Sequence, residues 1–327
     1  MSSSHSPPLV LLVGLGPTTG HALISLLASF DVVGLVRDVE DEVTERATAA
    51  GVPVLKETSP RRLSELVAAV RPDCVVVSSY HRILPGDLLD QCPFVNVHYS
   101  PLPKYRGRAN VNWAIINHES HAAVTVHSIS AGLDAGGVLA QERLPIGPRD
   151  TVGSLYERLN VIQAELLPGA VRRRLGGDQG DPQEEDAATY CCTRVPEDGE
   201  IDWRATTADV DALVRSLGPP YPHAFTYLGL DRVELEDAGP SPEGKVYVGR
   251  VPGRVVGWSG QEGWCDVLTG DGVLRVRRVR VEGVSQAAAA VWGSSHVTLG
   301  LRTADLLRRI AVLEARLAGL TTGLNEG

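Results

Sequence analysis

The chain has 327 residues, of which 43% are hydrophobic and 22% are charged, and its formal net charge at pH 7 is −9. This composition is ordinary for a globular protein and excludes a largely disordered chain, while the length favours two domains. The negative charge argues against an obligatory nucleic-acid partner or an anionic membrane, because both attract basic surfaces.

The cysteines indicate a reducing environment. There are five, they are scattered, and none shows the C-x-x-C spacing. The adjacent Cys191 and Cys192 are poorly placed for an ordinary disulfide. We therefore expect a cytoplasmic protein, with no metal site. The apolar run at residues 9–16 is too short to span a bilayer, so we expect no membrane role.

Strand and helix patterns alternate along the first part of the chain. Short β-rich apolar runs occupy residues 9–13, 31–36, 53–55 and 73–79, and helical patterns occupy residues 21–30, 39–51 and 61–70. Strands separated by single helices form parallel sheets with right-handed crossovers. The pattern predicts an α/β, Rossmann-like parallel-sheet domain.

A glycine loop joins the first strand to the first helix. Its spacing over Gly14–Gly20 is G-x-G-x-x-x-G, one residue longer than the usual dinucleotide fingerprint. Asp38, near the end of the second strand, could serve as an acidic ribose partner. Glycines also allow a tight strand-to-helix turn without any ligand. We favour the turn.

The second part of the chain has a different pattern. Polar, glycine-rich sequence at residues 176–199 indicates a domain boundary. Short runs rich in Val, Tyr and Trp at residues 225–281 predict a small antiparallel, OB-like β-domain. We expect a catalytic domain at residues 1–200, this β-domain at 201–300 and a C-terminal helix at 301–327.

The terminal helix carries an apolar stripe. Its members alternate in spacings of four and three: Leu306, Ile310, Leu313, Leu317 and Leu320. Such a stripe either packs on the body of the same chain or pairs two chains. We favour a homodimer through this helix.

The side chains with the clearest chemistry lie near the middle of the chain. Residues 95–97 read as a strand, so Asn96 and His98 point to the same face. Open α/β sheets place ligands at the carboxyl ends of their strands. Asp134 follows in a later turn between Leu133 and Gly136. We expect the three polar side chains to share one site.

An amide, an imidazole and a carboxylate together suit acyl transfer to an amine. The Asn96 amide can donate to a developing oxyanion, and His98 can hold or deliver a proton near neutral pH. Asp134 can orient that imidazole and accept the proton that an attacking ammonium loses. No Ser or Cys between residues 94 and 141 has the setting of a covalent nucleophile. This favours direct attack by the amine.

The same stretch resembles the folate-dependent formyltransferases, the family of methionyl-tRNA formyltransferase, glycinamide ribonucleotide formyltransferase and the sugar N-formyltransferases. The motifs that carry the resemblance are N-V-H at 96–98, S-P-L-P at 100–103, Y-R-G at 105–107, D-A-G at 134–136, Y-H-R-I-L-P at 80–85 and G-E-I-D-W at 199–203. They keep the order of the family's motifs, and the resemblance covers about residues 8–285.

The resemblance implies N10-formyltetrahydrofolate as the formyl donor. It assigns catalytic roles to Asn96, His98 and Asp134. It assigns donor binding to Tyr80, His81, Arg82, Ile83, Leu84, Pro85 and Asp134. It assigns acceptor binding to Ser100, Tyr105, Arg106, Gly107 and His127. Two of these loops depart from the family pattern, with Pro101 in place of a leucine and His81 in place of a glycine. A formimino donor stays an alternative.

Three of the acceptor-side residues have a second interpretation. Tyr105 and Arg106 either order the loop or contact the substrate, and we favour ordering. His127 either lines the acceptor pocket or is a hydrogen-bonded core residue.

The acceptor amine is the main open choice. Residues 201–327 carry 14 basic and 15 acidic residues, and residues 37–42 are acidic where the tRNA enzymes have a basic loop. These features favour a small-molecule amine, such as an amino sugar, an amino acid derivative or an antibiotic precursor, over initiator tRNA. The alternatives are a methionyl-tRNA formyltransferase and, in another class, a catalytically silent folate- or nucleotide-binding Rossmann module.

Overall fold

A computed structural model of the protein describes residues 6–16 and 18–324, with side chains as far as residue 317. Pro17 of the glycine loop and the Leu320 side chain of the terminal stripe lie outside the described part. The chain forms two compact units, Met1–Arg194 and Val195–Gly327. We refer to them as unit 1 and unit 2.

Unit 1 alternates strands and helices over most of its length. Its elements are β1 (Leu9–Val13), α1 (Thr19–Leu27), β2 (Asp31–Val36), α2 (Glu42–Ala49), β3 (Val54–Leu55), α3 (Pro60–Val70), β4 (Cys74–Ser78), α4 (Gly86–Leu89), β5 (Phe94–His98), β6 (Arg106–Gly107), α5 (Asn110–Ile116), β7 (His121–Ser128), β8 (Val138–Pro145), α6 (Val152–Leu175) and β9 (Tyr190–Cys191). The predicted α/β, Rossmann-like fold class is confirmed.

The central sheet has the strand order β3-β2-β1-β4-β5-β7-β8. The first five strands of this order run parallel, as predicted. The remaining two are antiparallel to their neighbours, so the sheet is mixed rather than purely parallel. Strand order reverses between β1 and β4, and α/β sheets bind ligands beside such a reversal.

The pairing of β5 with β7 places two polar side chains of the site side by side. After the seven-residue helix α5, the chain enters β7 beside the carboxyl end of β5, and His98 lies opposite Thr125. Farther along, Asn96 lies opposite His127. This pairing brings together two side chains that the sequence separates by 31 positions.

The buried side chain of Arg37 supports the glycine loop. Arg37 is 2% exposed, forms an ion pair with Asp41 and donates to the Gly14 carbonyl at 3.0 Å. A β-carbon on Gly14 would lie 2.5 Å from the Ser78 carbonyl oxygen. Asp38 accepts a hydrogen bond from the Thr58 hydroxyl at 3.1 Å. These internal contacts are those of a tight turn.

Unit 2 is an antiparallel β-domain with helices at both ends. Its elements are α7 (Thr207–Ser216), β10 (Phe225–Leu228), β11 (Asp231–Pro240), β12 (Val255–Trp258), β13 (Cys265–Leu268), β14 (Val273–Val281), β15 (Val284–Ala287), α8 (Ala288–Trp292) and α9 (Thr303–Leu324). The sheet order is β10-β11-β14-β13-β12, and β15 pairs with β14. The predicted antiparallel strands and terminal helix are confirmed.

The core of unit 2 lies between the sheet and the helices α7 and α8. Trp292 of α8 is fully buried there, together with Leu235 of β11 and Val276 of β14. Among the described residues, no helix is both long enough and apolar enough to cross a membrane.

Candidate active site

Asn96 and His127 form the centre of the site. They face each other across β5 and β7, and the Asn96 Nδ2 atom lies 3.1 Å from His127 Nε2. The other ring nitrogen, His127 Nδ1, lies 2.8 Å from the Ser128 carbonyl oxygen. A carbonyl can only accept, so Nδ1 carries the proton and Nε2 accepts from Asn96. The histidine thereby fixes which way the amide points.

Burial keeps His127 neutral. Its side chain is 2% exposed, and burial together with the nearby His98 lowers its pKa to about 4. Of the two interpretations of this residue, a hydrogen-bonded core histidine agrees with these contacts. The neutral ring remains an acceptor for the Asn96 amide throughout the physiological pH range.

The neutral state of His127 predicts a pH-dependent stability. The unfolded chain takes up a proton at this residue near pH 6.5, and the folded chain only near pH 4. Between these values the unfolded state binds more protons, so the free energy of unfolding decreases as the pH falls from about 6.5 to 4. We expect His127→Gln to show a shallower decline in thermal midpoint across this range. Parallel declines would contradict the assignment.

The turn that carries Asp134 is sterically restricted. Asp134 has a φ of +48°, in the left-handed region that few non-glycine residues adopt. A β-carbon on Gly136 would lie 1.7 Å from the Ser128 carbonyl oxygen, so the turn packs directly on the end of β7. The turn thus holds the Asp134 carboxylate beside β5 and β7.

The Asp134 carboxylate bridges the other polar groups of the site. Its Oδ2 accepts the Gly107 backbone N–H at 2.8 Å and lies 3.6 Å from His98 Nδ1. Its Oδ1 lies 3.5 Å from Asn96 Nδ2. The structure therefore brings together the three side chains predicted to be catalytic. Asp134 is close enough to His98 to orient its ring and to exchange a proton with an incoming amine.

His98 is anchored through its far nitrogen. His98 Nε2 lies 2.9 Å from the Tyr105 carbonyl oxygen, so Nε2 carries a proton and donates to it. This directs Nδ1 toward Asp134. Tyr105 has a φ of +59°, and its hydroxyl donates to Glu119 at 2.6 Å. Burial and Glu119 raise the pKa of Tyr105 to about 12.

Arg106 fastens a distant segment to the site. Its side chain is 1% exposed and forms a two-pronged ion pair with Glu185 at 2.8 and 2.9 Å. It also donates to Gln183 Oε1 at 3.0 Å and to the Tyr190 hydroxyl at 3.1 Å. Of the two parts predicted for Arg106, these contacts describe the ordering of the loop.

Gln183 contacts the turn that carries Asp134, and the sequence analysis did not identify it. While its Oε1 accepts from Arg106, its Nε2 donates to the Asp134 carbonyl at 2.8 Å and to the Gly136 carbonyl at 2.7 Å. The residue thus clamps the backbone on both sides of the catalytic turn. Its only sequence signal is its place in the polar segment 176–199, which predicts a boundary and not a site.

Gln183→Glu tests the contacts of this residue with the turn separately from its contact with Arg106. The glutamate keeps an acceptor for Arg106 but loses the N–H donors to the turn, and Gln183→Ala loses both. We expect either change to lower kcat on the order of tenfold with little change in KM, because small displacements of catalytic groups are costly. Gln179→Glu adds the same charge at an exposed position and serves as the control. Wild-type turnover in Gln183→Glu would show that the turn does not need these donors.

The remaining predicted residues lie in two loops. Ser100 is buried and donates to the Lys104 carbonyl at 2.8 Å, which closes the loop after β5. In the loop after β4, Tyr80 donates to the Thr58 carbonyl at 2.7 Å and burial raises its pKa. The members of that loop that the structure leaves largely exposed are His81, Arg82, Ile83 and Pro85; Leu84 packs partly against the core of unit 1. Among the described residues, no cluster of His, Cys, Asp and Glu could hold a metal ion.

Comparisons with solved structures show a shared fold. HypX from Aquifex aeolicus, solved in complex with tetrahydrofolic acid, has a TM-score of 0.62 at 21% identity and matches 88% of this chain. This chain spans about half the length of HypX, with 47% of that chain covered. An N-formyltransferase from Helicobacter canadensis, in complex with folinic acid and dTDP-3-aminofucose, has a TM-score of 0.62 at 17% identity, covering 83% of this chain and 98% of that one.

Comparisons of sequence establish the family. Residues 34–171 match the family described as formyl transferase, and residues 194–296 match the formyl transferase C-terminal domain. Methionyl-tRNA formyltransferase from Gluconobacter oxydans is 34% identical over 253 residues, which cover 76% of this chain and 80% of that protein. The resemblance found in the motifs is confirmed: the chain belongs to the formyl transferase family.

Proposed function

We propose that the protein transfers a formyl group from N10-formyltetrahydrofolate to a primary amine of a small metabolite. One observation carries the proposal. Asp134 lies within 3.6 Å of both Asn96 and His98, so the amide, imidazole and carboxylate form one constellation in a formyl transferase chain. A catalytically silent binding module would have no need of this arrangement.

The loops beside the constellation suit a folate donor. Ile83 is 85% exposed and Leu133, next to Asp134, is 57% exposed. Large apolar side chains at a site are typical contacts for a flat, aromatic ligand such as a pteridine ring. The complexes of HypX with tetrahydrofolic acid and of the Helicobacter enzyme with folinic acid support this class of donor. When bound, the donor supplies an activated formyl carbon.

The proposed reaction assigns one task to each side chain. The acceptor nitrogen forms a bond to the formyl carbon, whose oxygen becomes negatively charged. The Asn96 Nδ2–H and the proton on His98 Nδ1 stabilise that oxygen. Asp134 accepts the proton that the attacking nitrogen loses. The bond between the formyl carbon and N10 would then break, and the proton that Asp134 accepted would pass to N10 as the formamide leaves, so that Asp134 returns to its starting state.

Charge pairing in unit 2 favours a small acceptor. Strand β14 carries four arginines, and each lies beside an acidic side chain. Arg275 pairs with Asp266 at 2.8 Å, Arg277 with Asp237 at 3.4 Å, and Arg278 and Arg280 with Glu236. Arginines committed to carboxylates are poorly placed to neutralise phosphates, which nucleic-acid binding requires.

The second candidate is formyl transfer to methionyl-tRNA. It is favoured by the similarity to methionyl-tRNA formyltransferase from Gluconobacter oxydans, which extends over 80% of that protein. The two candidates share the donor and the constellation and differ only in the acceptor.

One labelling experiment distinguishes them. The purified enzyme is given N10-formyltetrahydrofolate labelled in the formyl carbon, together with cell extract separated into tRNA and small-molecule fractions. We expect label in a small-molecule fraction, where mass spectrometry identifies the amine, and none with the Asp134→Asn variant. Ribonuclease-sensitive label in the tRNA fraction would establish the second candidate, and label in neither fraction would overturn formyl transfer.

We also propose a cytoplasmic location. All five cysteines are free, and Cys74 and Cys265 are buried. Persistent free thiols are typical of a reducing compartment.

A further inference from the structure

The terminal helix α9 exposes an apolar stripe. The exposed fraction is 40% for Leu306, 49% for Ile310, 47% for Leu313 and 64% for Leu317. The spacings between them are four, three and four, and the sequence continues the pattern with leucines at positions 320 and 324. Contiguous exposed apolar side chains of this kind mark interaction surfaces.

The order of side chains along the stripe selects a form of helix pairing. In a heptad with Ile310 and Leu317 at position a, Leu306 and Leu313 occupy position d. Ile310 at a with leucine at d is the combination that favours two parallel strands, whereas Leu317, at the next a position, is not β-branched. The 22 residues of α9 provide about three heptads, or roughly 33 Å of helix.

The charges beside the stripe favour the same arrangement. Arg309 occupies position g and Glu314, five residues later, occupies position e, and both are exposed. In a parallel pair, position g of one helix faces position e of the next heptad in the other helix. Two copies of this chain would therefore form two Arg309–Glu314 ion pairs. An antiparallel pair would place Arg309 and Arg316, both at g, on facing rows and so bring like charges together.

We propose that α9 pairs with α9 of a second copy as a parallel, two-stranded coiled coil. We infer that a second copy of this chain covers the stripe. Arg309 of one helix can pair with Glu314 of the other when both helices have this sequence and lie in the same register. The interface joins two copies of this chain and is independent of the acceptor that the site uses.

Charge exchange tests this pairing in the full-length protein. Sedimentation equilibrium of the wild type is expected to show a dimer that dissociates on dilution. Arg309→Glu places two glutamates together and Glu314→Arg places two arginines together, so each variant is expected to dimerise on the order of tenfold more weakly. An equimolar mixture of the two restores opposite charges in the mixed pair and is expected to recover the wild-type dimer.

The controls separate pairing from general effects of charge or folding. Arg316→Glu makes the same charge change at a g position whose counterpart in the following heptad is the uncharged Thr321, and it is expected to weaken the dimer less. Leu313→Asp is expected to abolish the dimer while the thermal midpoint stays at the wild-type value. A wild type that is monomeric at every concentration would overturn the proposal. So would a dimer that Leu313→Asp leaves intact, or a mixture that dimerises no better than its components.

Discussion

Asp134→Asn is expected to lower kcat by about a hundredfold or more while the affinity for the folate donor changes little. The asparagine keeps the shape of the side chain and can still accept the Gly107 N–H. It loses the negative charge that lies 3.6 Å from His98 Nδ1 and 3.7 Å from His127 Nε2. Without that charge, no carboxylate in the constellation can take the proton from the attacking amine or hold the His98 ring in place.

Steady-state kinetics with the amine identified by labelling measures this effect. Asp186→Asn, a neutralisation at an exposed position in the segment that Arg106 fastens, is the matched control and is expected to retain wild-type turnover. If Asp134→Asn turned over within a few-fold of the wild type, the proton would have to leave by a path that does not use this carboxylate.

Asn96→Ala is expected to produce a loss of similar size, again of about a hundredfold or more in kcat. The amide is the only neutral donor in the constellation, and His127 holds it by accepting one of its two N–H groups at 3.1 Å. The second N–H is directed at Asp134 Oδ1, 3.5 Å away, so the amide is already oriented and exchanges this long contact for the oxyanion as it forms. Alanine removes this donor and leaves His127 Nε2 unsatisfied.

Comparing the effects of Asn96→Ala on kcat and on KM tests the role of Asn96. A fall in kcat with an unchanged KM indicates an interaction made in the transition state, whereas a rise in KM alone would reassign Asn96 to ground-state binding. Thermal midpoints of the variant and the wild type establish whether the unsatisfied histidine also costs stability. Asn96→Asp keeps the size of the side chain but has no N–H, so it is expected to be as slow as the alanine variant.

Local patterns predict the early strands well. The run at residues 9–13 and the run at residues 31–36 have the observed bounds because each is an apolar, β-branched segment closed by polar or glycine-rich sequence. The second helix is less well predicted, since the pattern indicates residues 39–51. It begins at Glu42, because the Asp41 carboxylate caps it by accepting from the Val43 and Thr44 N–H groups.

Those patterns could not predict the direction of β7 and β8. An alternation of strands and helices does not reveal whether the chain crosses over between two strands. It crosses over between β4 and β5, where α4 has four residues, and it does not between β5 and β7, where α5 has seven. The predicted parallel, Rossmann-like sheet is confirmed for the first five strands, and β7 and β8 make the sheet mixed.

Some residues of the candidate site could be predicted from the sequence, and others could not. Asn96 and His98 are predictable as partners because they are two apart on one strand, and motif spacing adds Asp134. Gln183 was missed because its contacts are with residues 47, 49 and 77 positions away, where no periodicity extends. Composition describes its segment as polar and glycine-rich, and only the fold reveals that it closes over the catalytic turn.

The contacts among Arg106, Gln183 and Glu185 make activity more sensitive to local unfolding than the fold is. Glu185 is 69% exposed, and the segment that contains it is held by side chains, by the two-residue pairing of β6 with β9 and by backbone hydrogen bonds of Asp181 with Val138 and of Thr189 with Pro103. Such a segment can open while the central sheet stays intact, since protein regions unfold locally at different free energies. Opening would release the carbonyls of Asp134 and Gly136. Mild denaturant or a protease that cuts near residue 185 would therefore inactivate a molecule that is still folded.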